Sequence, residues 1–116
     1  MATHGLFIGW TRALPNREPQ AIETFQSFLA YFGKQQQFGA IESFEPALLS
    51  PHGGDLNGFI LVRGDRQKID NLRWSEEFLD LAARANFNVQ GFGILSVHLG
   101  SELQAQMQRF GKLAGR

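Results

Sequence analysis

Two short, largely apolar runs, Leu6–Thr11 and Gly58–Arg63, restrict the fold of this chain more than any other feature of its sequence. Each run is rich in β-branched and aromatic residues and is followed by turn-forming residues, which predicts a short β-strand. Successive side chains of a strand point to opposite faces of its sheet. Both strands therefore place apolar side chains on both faces, and each face needs cover.

A helix and an edge strand are predicted between the two runs. Pro19 suits the first turn of the helix, in which apolar residues recur at steps of three and four. Gly33 is expected to end this helix, as a C-terminal glycine does. Ala40–Leu49 predicts the next strand. Because Pro46 lacks the backbone N–H that a ladder needs, this strand should lie at a sheet edge.

A broken helix, a last strand and a terminal helix are predicted after the second run. Asp65 can cap the helix that begins near Arg66, and Ser75 can cap a second piece, so this helix should bend or split. Val89–Leu99 predicts the last strand. Ser101 can cap a short terminal helix. The inner apolar stripe of that helix is predicted to be Leu103, Met107 and Phe110.

The predicted order of elements is βαββαβ with one added helix. This order is typical of ferredoxin-like α+β domains, in which a four-stranded antiparallel sheet has the spatial order 4-1-3-2 and both main helices cover one face. We expect residues 1–100 to form this domain and residues 101–116 to form its C-terminal helix and tail. The second face of the sheet, called the open face below, then has no helical cover.

The open face is the candidate binding surface. If Leu6 and Ile60 point to the helices, alternation directs their neighbours to the open face. In the last strand, a mixed set that ends at His98 is assigned to the open face, and a wholly apolar set with Leu95 and Val97 is assigned to the helices. Covering such a patch is worth on the order of several kcal/mol, so a second copy, a ligand or stacked bases should cover it. The residues expected at this ligand-binding or dimer face are Phe7, Phe59, Leu61, Gln90, Phe92, Ile94 and Ser96.

Charge and cysteine content exclude several classes of function. Eleven basic and eleven acidic side chains give a net charge of zero, which disfavours nucleic-acid binding through phosphate neutralisation. The absence of cysteine excludes thiol catalysis and thiolate metal sites. The spacing of His4, His52 and Asp55 predicts no metal site, and no cofactor is expected. The first residues lack a signal-peptide pattern, so we expect a cytoplasmic protein without a membrane segment.

One pair of residues is a candidate for catalysis. His98, at the end of the last predicted strand, could act as a general base at the mouth of a cavity. Arg63 could hold an anionic group of a ligand there. The alternatives are a local hydrogen bond for His98 and an ion pair across a subunit interface for Arg63.

Three segments resemble the dimeric α/β-barrel superfamily, and in particular its small bacterial members. They are Gly58–Gly64, the helix break Leu72–Phe78 and the strand Val89–Gly93. The resemblance implies a homodimer that closes two open faces into one barrel, with a cavity between sheet and helices for a small apolar or carboxylated molecule. It names no reaction, because the members include cofactor-free monooxygenases, isomerases, haem enzymes and proteins without known activity.

A second resemblance leads to a different function. Leu6–Gly9 is similar to the first-strand motif of RNA-recognition domains, and Asn57–Phe59 is similar to part of their third-strand motif. It implies that Phe7 and Phe59 stack bases of single-stranded RNA. The chain departs from that pattern at Leu61, where a second stacking aromatic residue belongs. Three hypotheses therefore remain: a dimeric binding protein, a small monooxygenase or isomerase, and an RNA-binding domain.

Overall fold

The computed structural model describes residues 2–115. Their elements, in chain order, are β1 (His4–Trp10), β2 (Arg12–Ala13), α1 (Glu18–Gln37), β3 (Ser43–Leu48), β4 (Gly58–Gly64), α2 (Arg66–Arg73), α3 (Glu76–Asn88), β5 (Val89–Gln90), β6 (Gly93–His98) and α4 (Gly100–Ala114). The predicted domain ranges include Met1 and Arg116, which lie outside the described residues. Among the described residues, no helix is both long enough and apolar enough to cross a membrane.

The main sheet has four antiparallel strands in the order β3-β4-β1-β6. This is the predicted order 4-1-3-2, and the α+β ferredoxin-like fold is confirmed. Pro46 lies exposed in β3, opposite Ile60 of β4, and β3 is an edge strand as predicted. The missing N–H of Pro46 therefore faces outward, where no neighbouring strand needs it.

The core lies between one face of this sheet and helices α1 and α3. Leu6 and Ile8 of β1 pair with Val62 and Ile60 of β4, and all four side chains are almost fully buried. The helices add large aromatic rings that pack against one another in edge-to-face, tilted and stacked pairs. These rings are Phe28, Phe32 and Phe78.

Helix α1 continues through Gly33, so the prediction that this glycine ends it is wrong. A Cβ at Gly33 would meet nothing within 4 Å, and the helix ends four residues later at Gln37. An interior glycine costs about 1 kcal/mol relative to alanine, which the good helix formers that follow can offset. Gly39, with φ of 79°, takes the left-handed conformation beyond the end of the helix.

The predicted helix break lies between α2 and α3. Asp65 Oδ2 accepts a hydrogen bond of 3.2 Å from the Lys68 N–H at the start of α2. Ser75 Oγ accepts one of 3.3 Å from the Phe78 N–H at the start of α3. Both side chains satisfy a backbone donor that a helix start leaves free, so each piece has its own cap.

The last predicted strand is interrupted at Gly91, and this break reverses the predicted faces. Register is kept across the break, because Gly9 pairs with Gly93 and Arg12 with Gln90, so no residue is inserted. Gly91 has φ of 69°, and its left-handed backbone changes the alternation, so Val89 before it and Phe92 after it both pack against the core. The assignment of the mixed set to the open face is therefore wrong.

Strand register gives the corrected faces of β6. Ile94, Ser96 and His98 lie opposite Ile8, Leu6 and His4, so they share the helix-covered side of the sheet. Leu95 and Val97, which were assigned to the helices, lie opposite Phe7 and Gly5 on the open face. Gln90 pairs with Arg12 in the small second sheet and is exposed.

Helix α4 differs from its prediction in two ways. Its N-cap is Leu99, which makes no side-chain capping bond, and Ser101 lies inside the helix. No residue of α4 is buried. The apolar stripe predicted to face inward, Leu103, Met107 and Phe110, is instead 48–61% exposed, and Leu113 beyond it is 64% exposed.

Candidate functional site

The open face carries a continuous apolar patch at its centre. Phe7 of β1 lies between Leu61 of β4 and Leu95 of β6. The Phe7 and Phe59 rings stack with centroids 5.1 Å apart and planes 25° apart. Gly9 makes this contact possible, because a Cβ there would lie 2.8 Å from the Phe7 ring. Leu95 is 61% exposed, and Phe7, Phe59 and Leu61 are partly exposed, so the subunit leaves this patch partly uncovered.

Helix α4 extends the patch. A shallow groove is lined by Phe7, Leu61 and Leu95 on the sheet side and by Leu103, Met107 and Phe110 on the helix side. The exposed stripe of α4 and the open face are therefore one surface. Large contiguous apolar surfaces are rare on monomers and mark interaction sites.

A separate apolar cavity of about 310 Å³ lies on the helix-covered side of the sheet. The Trp10 ring forms one wall and packs edge to face on Phe25, with centroids 5.5 Å apart. No lining residue is titratable. The lining residues are Ile8, Trp10, Ala13, Ala21, Ile22, Thr24, Phe25, Phe28, Leu48, Ala85, Val89 and Phe92.

The Thr24 hydroxyl at this cavity belongs to a hydrogen-bond network with Asn88 and Arg17. The Thr24 hydroxyl donates to the Gln20 carbonyl at 2.8 Å and accepts from Asn88 Nδ2 at 2.9 Å. Asn88 Oδ1 accepts two hydrogen bonds from the Arg17 guanidinium, at 3.1 and 2.8 Å. The network anchors the end of α3 to α1, and it leaves Thr24 without a free donor for a ligand.

The two residues singled out for catalysis do not meet. His98 lies opposite His4 on the helix-covered side, whereas Arg63 lies opposite Gly5 on the open face. Arg63 Nη1 donates to Glu45 Oε1 at 3.2 Å within the same chain. The prediction that His98 and Arg63 share a site is wrong. Their pairing partners in β1, His4 and Gly5, are consecutive residues and so lie on opposite faces of the sheet.

His98 instead belongs to a cluster at the other end of the helix-covered side. Glu102 Oε1 lies 2.8 Å from His4 Nδ1 and 3.0 Å from His98 Nδ1. Its second oxygen lies 3.8 Å from Arg66 Nη1. Burial raises the pKa of Glu102, but the hydrogen bonds from both histidines and the charges of His4 and Arg66 outweigh it and lower the pKa overall.

The predicted binding residues therefore divide among three places. Phe7, Phe59 and Leu61 meet on the open face, as their alternation indicated. Phe92 lines the apolar cavity, and Ile94 packs on the core. Ser96 is exposed and borders the groove that Phe7 and Leu61 line, and Gln90 is exposed in the small second sheet.

The resemblance implied a cavity between sheet and helices, but sequence reasoning did not identify most of the residues that line it or the roles of His4 and Glu102. Glu102 follows His98 by four residues, which would bring the two together on a helical turn. No local signal connects His4 to them. Only the register of β1 against β6 places His4 opposite His98.

This chain is similar to several solved structures. No family model and no curated protein matches the chain. A dimeric ferredoxin-like protein from Bacteroides fragilis has a TM-score of 0.59 and 10% identity, over 83% of this chain and 96% of that one. SnoaB of Streptomyces nogalater, a cofactor-independent oxygenase, has a TM-score of 0.55 and 14% identity, over 85% and 95%.

A plant enzyme has the same architecture. The hydroxynitrile lyase of Passiflora edulis has a TM-score of 0.63 and 12% identity, over 86% of this chain and 96% of that one. At such low identity these similarities establish the fold and not the activity. The chain thus has the ferredoxin-like α+β fold that is also found in a dimeric protein, an oxygenase and a lyase.

Proposed function

We propose that this chain is a homodimeric binding protein of the dimeric α/β-barrel type, which holds a small, uncharged apolar molecule between its sheet and its helices. The observation that carries the proposal is the apolar cavity of about 310 Å³ beside Trp10. A cavity of this size is at the lower end of the range for small-molecule sites.

Exposure of the open face supports the dimer. Leu95 and the α4 stripe together leave large apolar side chains uncovered on one surface. A second copy covers all of them at once, since a twofold contact places the same patch on both sides. The dimeric protein from Bacteroides fragilis supports this partner.

The lining of the cavity favours an uncharged ligand over a carboxylated one. A carboxylate needs a cation or free N–H donors when it leaves water. Arg63, the residue expected to bind it, lies on the opposite face and pairs with Glu45. The Arg17 guanidinium already donates a hydrogen bond to Asn88 Oδ1.

The second hypothesis, a cofactor-free monooxygenase or isomerase, receives less support from this geometry. Acid–base catalysis needs a titratable group within hydrogen-bond reach of the substrate. No such group lines the cavity. His98 is not a lining residue either, since it pairs with His4 at the end of β1 away from Trp10.

The RNA hypothesis also receives less support. Base stacking requires accessible ring faces, and the contact between Phe7 and Phe59 occupies one face of each ring. Arg63 is the one cation that the strands of the described chain place on the open face, and it pairs with Glu45. Phosphate binding therefore lacks the positive surface that it needs.

Ligand binding can be tested with 1-aminoanthracene, an uncharged probe whose emission rises in apolar surroundings. Ala21 lines the cavity on α1, whereas Ala30 of the same helix is exposed outside it. We expect saturable binding by the natural chain and at least tenfold weaker binding by Ala21→Phe, because the new ring fills the cavity. Ala30→Phe should bind as the natural chain does. Equal binding by both variants would contradict the proposed site.

A further inference from the structure

The cluster of His4, His98 and Glu102 is independent of the apolar cavity and of the proposed function. His4 is only 2% exposed, yet its Nε2 atom has no hydrogen-bond partner among the described residues. A buried ring nitrogen without a partner costs stability, so packing alone does not account for a histidine at this position. An apolar residue would fill the same position without that cost. This choice of residue indicates a role beyond packing.

The cluster has the composition and spacing of a metal site. Each of the three residues offers one ligand atom, and these atoms lie within 4.8 Å of one another. Bonds of about 2.0–2.1 Å from a metal to nitrogen or oxygen place neighbouring ligand atoms about 2.9–3.4 Å apart in octahedral or tetrahedral geometry. The two observed nitrogen–oxygen distances, 2.8 and 3.0 Å, are close to that range. Small side-chain shifts would accommodate an ion.

We propose that His4, His98 and Glu102 bind one divalent first-row transition metal ion, with Zn²⁺ as the reference ion. Two imidazoles and one carboxylate are a common ligand set for such ions, and three protein ligands leave a coordination position for water. The ion would take the place of the two hydrogen bonds between Glu102 and the histidines, and each neutral imidazole would then carry its proton on Nε2. The ligands come from β1, β6 and α4.

Electrostatics at the cluster is compatible with a cation. The Glu102 carboxylate supplies one negative charge, and the histidines bind a metal in their neutral form. Arg66 is the nearest positive charge, 3.8 Å from the other carboxylate oxygen. Its side chain is 62% exposed, so water screens its repulsion of an ion beside Oε1.

The site would fix α4 to the sheet. No residue of this helix is buried, and Glu102 makes its side-chain contacts with both strands. A metal bound at the cluster would join the first turn of α4 to β1 and β6 through coordinate bonds. We therefore expect the ion to slow hydrogen exchange in α4.

The test uses the full chain, stripped of metal with a chelator and then titrated with ZnCl₂ by calorimetry and native mass spectrometry. The variants are His98→Ala and Glu102→Gln, both at partly exposed positions. His52→Ala is the matched control, because His52 lies in an exposed loop outside the cluster. Circular dichroism verifies the fold of each variant.

We expect one Zn²⁺ per chain, affinity at least tenfold weaker in both cluster variants, and unchanged affinity in His52→Ala. Amide exchange in α4 should slow with Zn²⁺ in the natural chain and not in Glu102→Gln. The proposal is overturned if the natural chain shows no saturable binding or if folded His98→Ala and Glu102→Gln retain its affinity. Binding that leaves α4 exchange unchanged also overturns it, since the ion then lies elsewhere.

Discussion

Replacing Leu95 with aspartate should separate the proposed dimer without unfolding the subunit. Burying a whole leucine side chain stabilises by about 1.5–3 kcal/mol. Leu95 is 61% exposed in the subunit, so covering this exposed part of its side chain is worth about 1–2 kcal/mol per copy. For the two copies in a dimer the sum is about 2–4 kcal/mol. A factor of ten in the dissociation constant is about 1.4 kcal/mol, so losing this contact weakens the dimer roughly 30- to 700-fold. The two new carboxylates would lie in an apolar interface, which adds to the loss.

Sedimentation velocity across a concentration series measures this dissociation constant. Leu79→Asp is the control, because Leu79 is 39% exposed on α3, away from the open face. It should sediment as the natural chain does, and both variants should keep the native circular dichroism. A dimer of unchanged affinity in Leu95→Asp would refute the proposal that the open face is the interface. A natural chain that stays monomeric at high concentration would refute the dimer itself.

Three further predictions concern the subunit alone. Burial raises the pKa of Tyr31, the only tyrosine, and the charge of Glu77 adds to this, so Glu77→Gln should lower the midpoint of the ultraviolet titration. Because the pKa of Tyr31 is raised in the folded state, its contribution to folding stability is complete below about pH 10 and is lost as the pH rises further. An unchanged titration midpoint in Glu77→Gln would contradict a contribution of Glu77 to the raised pKa. Gly91→Ala should cost about 1–3 kcal/mol in urea unfolding, since the position has φ of 69° and the new Cβ would meet the Thr11 hydroxyl, and unchanged stability would refute the strain. Ser75→Ala should cost about 1 kcal/mol in the same assay through loss of the α3 cap, and a smaller change than about 0.5 kcal/mol would show that the cap is dispensable.

Local patterns sufficed to predict most of the architecture. Strands β1 and β4 carry apolar side chains on both faces of the sheet. They were predictable because their short apolar runs lack the spacing of three and four residues that is typical of a helix. The position of Pro46 predicted an edge strand, and Ser75 predicted the break between α2 and α3, because each residue has a backbone requirement that is met in few places. Such requirements act within a few residues and can be identified from the sequence alone.

The faces of β6 and the positions of the candidate sites depend on backbone conformation and strand pairing that short sequence patterns do not determine. The sequence predicts unbroken alternation from Val89 to Leu99, whereas the left-handed conformation of Gly91 shifts the alternation by one residue. A glycine within a strand indicates that the strand can be interrupted, without fixing on which side alternation resumes. The meeting of His4 with His98 likewise follows from the pairing of strands that are distant in the chain.

The proline in the edge strand also limits how these molecules can associate. An uncovered edge invites strand addition from another molecule, and successive additions produce polymers that grow without limit. Pro46 removes one donor from the outer side of β3 and so discourages such growth. Pairing through the opposite surfaces of a sheet is self-limiting, because a twofold contact is saturated by a single partner. Raising the protein concentration should therefore increase the fraction of dimer and should not produce fibrils.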